Sequence, residues 1–138
     1  MNTGGDDAVR ILVVDDDDGV RQVLLGMLVP AGYSVESASN GREAIERVRA
    51  EHFDLVITDL VMPEQEGIET IKVLRRDFPN LKVIAISGAF GGDYLRIAAF
   101  LGAHRTLAKP VRMENVIRAV EETLHETPGS PPTDSRPS

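Results

Sequence analysis

The 138-residue sequence predicts an α/β domain, a parallel sheet with helices on both faces. Three observations carry that expectation. Strand-like runs alternate with helix-period stretches five times along the chain. Runs such as Ile11–Val14 and Leu55–Ile57 are continuously apolar, the pattern of strands covered on both faces. The carboxyl ends of these runs carry acids, a hydroxyl or a lysine, and open α/β sheets keep their chemistry on that edge.

Taken in order, Met1–Ala8 has two glycines and no apolar period, and reads as a disordered arm. Val9–Val14 is the first strand, followed by Asp15–Asp18. One of the later acids is suited to cap a helix over about Gly19–Ala31, with Val20, Val23, Leu24, Met27 and Leu28 on one face and Pro30 and Gly32 as stops. Tyr33–Ala38 alternates as a second strand, Ser39-Asn40-Gly41 is turn chemistry, and Arg42–Glu51 is a helix apolar at Ala44, Ile45 and Val48. Asp54–Thr58 is the third strand and Met62–Gly67 a loop. The third helix runs to about Phe78, with Ile68, Ile71, Val73 and Leu74 inward, and Pro79-Asn80 breaks it. Leu81–Ile86 is the fourth strand, stopping at Ser87-Gly88. Gly91-Gly92-Asp93 caps a helix over Tyr94–Leu101 that ends at Gly102. His104–Ala108 is the fifth strand, closed by Lys109-Pro110, and Met113–His125 is the fifth helix, with Val116, Ile117, Val120 and Leu124 inward. Thr127–Ser138 is rich in Pro and Ser and reads as a disordered tail, which leaves residues 9–126 as one folded unit.

Composition excludes several classes of function. The net charge of −7 argues against direct nucleic-acid binding, and two Tyr, four Phe and no Trp leave little for a base-stacking platform. With no cysteine there is no disulfide framework and no thiolate metal site. No apolar run approaches the ~20 residues of a membrane span, and the polar, acidic start is no signal peptide, so the expected location is the cytoplasm.

The informative residues are the polar ones at strand ends: Asp15 and Asp16 after the first strand, Asp59 after the third, Ser87 after the fourth and Lys109 after the fifth. If strands one, three, four and five are neighbours, all five side chains converge at a switch point of the sheet. Three carboxylates in one cleft repel one another and call for a cation, and hard oxygen ligands beside a phosphate suit Mg²⁺. Lys109 offers a fixed positive charge and Ser87 a hydroxyl to phosphate oxygens. Phosphoryl transfer asks mainly for positioning and charge neutralisation, and a carboxylate nucleophile forming an aspartyl phosphate is an established covalent intermediate. Asp59 is therefore the candidate phosphoryl acceptor.

The motifs ILVVDDD at Ile11–Asp17, DLVITDLVMP at Asp54–Pro63, VIAIS at Val83–Ser87, and LGA with AKP between Leu101 and Pro110 give the chain a close likeness to a known family. It resembles the receiver domain of two-component response regulators over about Val9–His125. The resemblance implies a flavodoxin-like (βα)5 fold with strand order 2-1-3-4-5. It implies phosphorylation of Asp59, with Ser87 and Lys109 sensing the phosphate. For the metal it implies Asp16 and Asp59 as acidic Mg²⁺ ligands, Asp15 assisting through water, and the Val61 carbonyl as the third protein ligand. A cis Lys109–Pro110 bond is also implied. The partners implied are a sensor histidine kinase or phosphotransfer protein, donating from a phosphohistidine, and an output protein whose identity the sequence does not carry. No enzymatic turnover beyond the chain's own phosphorylation and dephosphorylation is expected, and no nucleic acid or membrane.

Some positions depart from the family pattern. Thr106 stands where Tyr or Phe is usual, three residues before the lysine. Gly88 follows Ser87 where Ala is common, and is expected to leave access to the phosphate open. Val61 and Ala89 have no side chain able to hydrogen-bond an attacking water, so slow self-dephosphorylation is expected. Two other functions stay open on the residues. Asp16–Val20 fits the D-x-D-G-[TV] pattern of haloacid-dehalogenase-type phosphatases, a reading that leaves Asp59 idle, and a pseudo-receiver would act as an interaction module without phosphate. His52, His104 and His125 share no metal-ligand spacing and are expected at the surface or its boundary.

Overall fold

The computed structural model describes residues 8–60, 66–88 and 92–126, with the side chains of 66 and 92–95 left aside. Its strands are β1 (Arg10–Val14), β2 (Ser34–Ala38), β3 (Leu55–Asp59), β4 (Lys82–Ser87) and β5 (Arg105–Ala108). Its helices are α1 (Asp18–Leu28), α2 (Gly41–Ala50), α3 (Glu66–Asp77), α4 (Gly92–Leu101) and α5 (Met113–Leu124). All strand pairings are parallel and the order is β2-β1-β3-β4-β5, the flavodoxin-like arrangement.

The period of two along each strand divides the core into halves. Leu12, Val14, Val56, Leu60, Val83 and Ala85 face one side, where Ala44 and Val48 of α2, Ile71 and Leu74 of α3 and Ala98 of α4 cover them. Ile11, Val13, Leu55, Ile57, Ile84 and Ile86 face the other, against Leu24 and Leu28 of α1 and Val116, Ala119 and Val120 of α5. Every residue of β3 and β4 is buried, as expected for central strands of a doubly covered sheet.

Local chemistry sets the helix ends. The Asp17 carboxylate accepts from the N–H groups of Gly19 and Val20, so a later acid of the Asp15–Asp18 run does cap α1. Asn40 accepts from the N–H of Glu43, and Glu43 reaches back to the N–H of Ser39 at 2.9 Å, a capping box shifted by one residue. Gly32 and Gly102 follow α1 and α4 with φ of 104° and 111°, where a Cβ would be strained.

Three readings of the sequence need correction. Val23, expected to face inward, is 51% exposed, because α1 buries only Leu24 and Leu28 fully against the sheet. Gly67 belongs to α3, not to the loop before it. His104 is completely buried, since the turn after Gly102 tucks it against β4, where the Val83 N–H donates to its Nδ1 at 3.1 Å. Residues 61–65 and 89–91, including Val61 and Ala89, lie outside the described residues, as do 1–7 and 127–138.

Candidate functional site

The register of the strands assembles the site. Val14 pairs with Thr58, so Asp15 and Asp59 follow side by side on adjacent strands. Asp59 pairs with Ile86, and Ser87 with Ala108, which puts Ser87 and Lys109 one step further along the same edge. Parity also matters. Asp15, Asp59 and Lys109 continue the alternation of Val13, Ile57 and Leu107, so they fall on the α1/α5 side of the sheet. Gly88 continues the Ile84–Ile86 alternation and stands between the strands of Asp59 and Lys109. A Cβ there would lie 2.8 Å from the Lys109 Cβ, so the bare Gly88 makes room for the lysine stem to cross β4.

The Lys109 ammonium then reaches Asp15 Oδ2 at 3.2 Å and Asp59 Oδ1 at 3.5 Å. Burial works against this ammonium, but Asp59 and Asp15 beside it outweigh burial and hold its pKa above the ordinary lysine value. Asp15 and Asp59 are buried, at 2% and 4% exposed, whereas Asp16 is exposed. One carboxylate oxygen from each of the three lies within 4.8 Å of the others. The second Asp15 oxygen accepts from the Asp17 N–H at 2.9 Å. Ser87, 1% exposed, is fixed at the end of β4, its carbonyl accepting from the Lys109 N–H at 3.0 Å. The Lys109–Pro110 peptide bond is cis.

Asp15, Asp16, Asp59, Ser87 and Lys109 are thus gathered on one sheet edge, as the sequence reading expects, while Val61 lies outside the described residues. Asp17, the variable position of the phosphatase pattern, caps α1, and Asp18, its second acid, pairs with Arg21 in the first helical turn. Arg21, whose guanidinium donates to the Asp15 carbonyl at 2.5 Å, was not among the residues that sequence reasoning singled out. Its one signal is its place one helical turn after the acidic run.

A family model described as the response regulator receiver domain matches residues 11–121. The chain belongs to the response regulator receiver domain family. It is 34% identical over 115 residues to the response regulator receiver protein CpdR of Brucella abortus, covering 83% of this chain and 96% of that protein. It is 37% identical over 115 residues to the chemotaxis protein CheY of Thermotoga maritima, covering 82% of this chain and 95% of CheY. A solved structure, the response regulator protein TrrA of Thermotoga maritima in complex with Mg²⁺-BeF, superposes with a TM-score of 0.76 at 29% identity, covering 83% of this chain and 98% of that one. This receiver domain is a signalling module of two-component systems, a class in which phosphorylation and Mg²⁺ binding are typical. Among the described residues no helix is long and apolar enough to cross a membrane.

Proposed function

We propose that the chain accepts a phosphoryl group on Asp59 from a phosphohistidine of a histidine kinase or phosphotransfer protein. The observation that carries this reading is the Lys109 ammonium at 3.5 Å from Asp59 in a pocket of three clustered carboxylates. An Asp59 oxygen attacks phosphorus, the new O–P bond forms as the donor's P–N bond breaks, and the imidazole nitrogen leaves with a proton from solvent. In this reading Lys109 stays charged throughout and meets a phosphoryl oxygen, and the Ser87 hydroxyl donates to a second.

The donor set fits Mg²⁺. Asp16 and Asp59 would hold it directly and Asp15 through water, because both Asp15 oxygens already accept, from Asp17 and Lys109. When bound, the metal supplies positive charge to the carboxylates and to phosphoryl oxygens. Residues 9–126 are proposed as the functional unit, acting in the cytoplasm with an output protein and without enzymatic turnover on other substrates.

Phosphorylation adds about −1.5 to −2 charges beside Lys109 and Ser87. In this reading it draws both residues toward Asp59 and shifts a two-state equilibrium on the α4–β5–α5 face. Support comes from what that face exposes: Ile97 and Phe100 on α4, and an open groove of about 190 Å³ beside Thr106, Leu107 and Asn115. Thr106, half-buried on β5, brings no aromatic ring to swing between states, so the readout falls to the helices around it.

The test is incubation with acetyl phosphate and Mg²⁺, followed by intact mass, for wild type and Asp59→Asn. One added phosphoryl mass on wild type alone is expected. Equal labelling of both proteins would move the acceptor elsewhere and overturn the assignment.

A further inference from the structure

We propose that Arg21 is a positioning residue of the acid pocket, holding the Asp15–Asp18 segment in the arrangement that lets three carboxylates share a divalent cation. This rests on the reading of the pocket given above. Arg21 lies on α1 and spans the segment: its Nη1 donates to the Asp15 carbonyl at 2.5 Å and its Nη2 pairs with the Asp18 carboxylate. The two contacts are unequal in kind. Asp18 is 86% exposed while the Arg21 side chain is 16% exposed. An ion pair to so exposed an acid contributes little. The contact that offsets burial of the guanidinium is the one to the main chain of Asp15, a charge-assisted hydrogen bond at the point where β1 ends.

Asp15 is held on every side: its N–H donates to the Ala38 carbonyl at 3.2 Å, its carboxylate accepts from Asp17 and Lys109, and its carbonyl accepts from Arg21. Asp16 is different. Its side chain is exposed and has no hydrogen-bond partner among the described residues. Its carboxylate stands beside Asp59 on a segment that is fixed at Asp15 and at the Asp17 cap, and Arg21 secures the Asp15 end. Lysine is a poorer substitute, because a compact, strongly hydrated ammonium lacks the fixed planar donor geometry that the guanidinium offers the Asp15 carbonyl.

The test is Mg²⁺ titration by calorimetry, with the Mg²⁺ dependence of acetyl phosphate labelling, for wild type, Arg21→Met, Arg21→Lys, Asp18→Asn and Asp16→Asn. Arg21→Met is expected to weaken Mg²⁺ binding about tenfold, the loss typical of groups that orient metal ligands. Arg21→Lys recovers part of that loss. Asp18→Asn stays within about twofold of wild type, because the exposed pair contributes little. At saturating Mg²⁺ the labelling rate of Arg21→Met returns near the wild-type value, since Arg21 touches no reacting atom. Melting in EDTA separates folding from metal binding. Wild-type affinity in Arg21→Met overturns the proposal and leaves the pocket reading intact, with Asp16→Asn as the variant that still loses the metal. Equal losses in Asp18→Asn and Arg21→Met also overturn it, because the exposed pair would then account for the effect. A wild-type chain that binds no Mg²⁺ overturns the pocket reading and the Arg21 role together.

Discussion

A Cβ on Gly67 would lie 2.3 Å from the Asp59 carbonyl oxygen and 2.6 Å from the Leu60 Cα, both main-chain atoms with nowhere to move. Glycine here lets α3 close against the end of β3 and so sets where Asp59 sits. Gly67→Ala is expected to destabilise the fold by about 2 kcal/mol, the usual cost of overpacking, as read by urea unfolding. His104 carries a second prediction. Burial, and then the positive Arg75 and Lys82 nearby, lower its pKa from 6.5 to about 4. The folded state therefore keeps the ring neutral where the unfolded chain already binds a proton. The contribution of His104 is constant above pH 6.5 and is lost progressively as pH falls from 6.5 to about 4. That loss amounts to about 3 kcal/mol at one full proton of linkage. His104→Leu should remove roughly one proton from the pH dependence of unfolding in that window, though it leaves the Val83 N–H without its acceptor. Unchanged slopes in wild type and variant would refute the linkage.

The end of α5 is held by charges from the sheet. Lys82, buried at the start of β4, donates through Nζ to the Thr123 carbonyl at 2.8 Å and the Glu126 carbonyl at 2.5 Å. Burial lowers the Lys82 pKa against the pull of Glu126. Arg105 of β5 adds an ion pair to Glu122 at 3.7 Å and another to Glu126. Both cations sit at the negative end of the helix dipole, Lys82 on main-chain carbonyls and Arg105 on the carboxylates of Glu122 and Glu126. Lys82→Met is expected to cost about 2 kcal/mol, the order of one charge-assisted hydrogen bond, and to raise hydrogen exchange in the last turn of α5 ahead of its first. Uniform protection along α5 in the variant would contradict the clamp.

Across the whole molecule, three carboxylates and one ammonium form an anionic pocket at one edge of a sheet whose other edge is tied by ion pairs. A cation that binds only this folded arrangement must stabilise the entire domain. At tenfold excess of Mg²⁺ over its dissociation constant the gain is about 1.4 kcal/mol. For a domain of this size that raises the melting temperature by on the order of 5 °C. Thermal melts in EDTA and in Mg²⁺, for wild type and Asp16→Asn, check this. The expected result is a rise in wild type that the variant loses, and a flat response in wild type would sink the metal assignment.

The alternation of elements, the burial of Leu55–Ile57 and the identity of Asp15, Asp16, Asp59, Ser87 and Lys109 as strand-end residues were all legible in the chain, because strand and helix periods are local properties. The cap at Asp17 was legible for the same reason. Other features depended on partners far along the chain. Lys82 meets Thr123, 41 residues away, and Lys109 meets Asp15, 94 residues away. A charged residue beginning a strand reads locally as a polar boundary, so nothing near Lys82 or His104 announced that each would be buried. The reach of Lys109 to Asp59 needed the strand order and one bare glycine on β4 between them, and the grip of Arg21 on Asp15 needed the angle at which α1 leaves β1. Periodicity says which residues stand at a strand's end, but which of them touch is set by packing the strands and helices together.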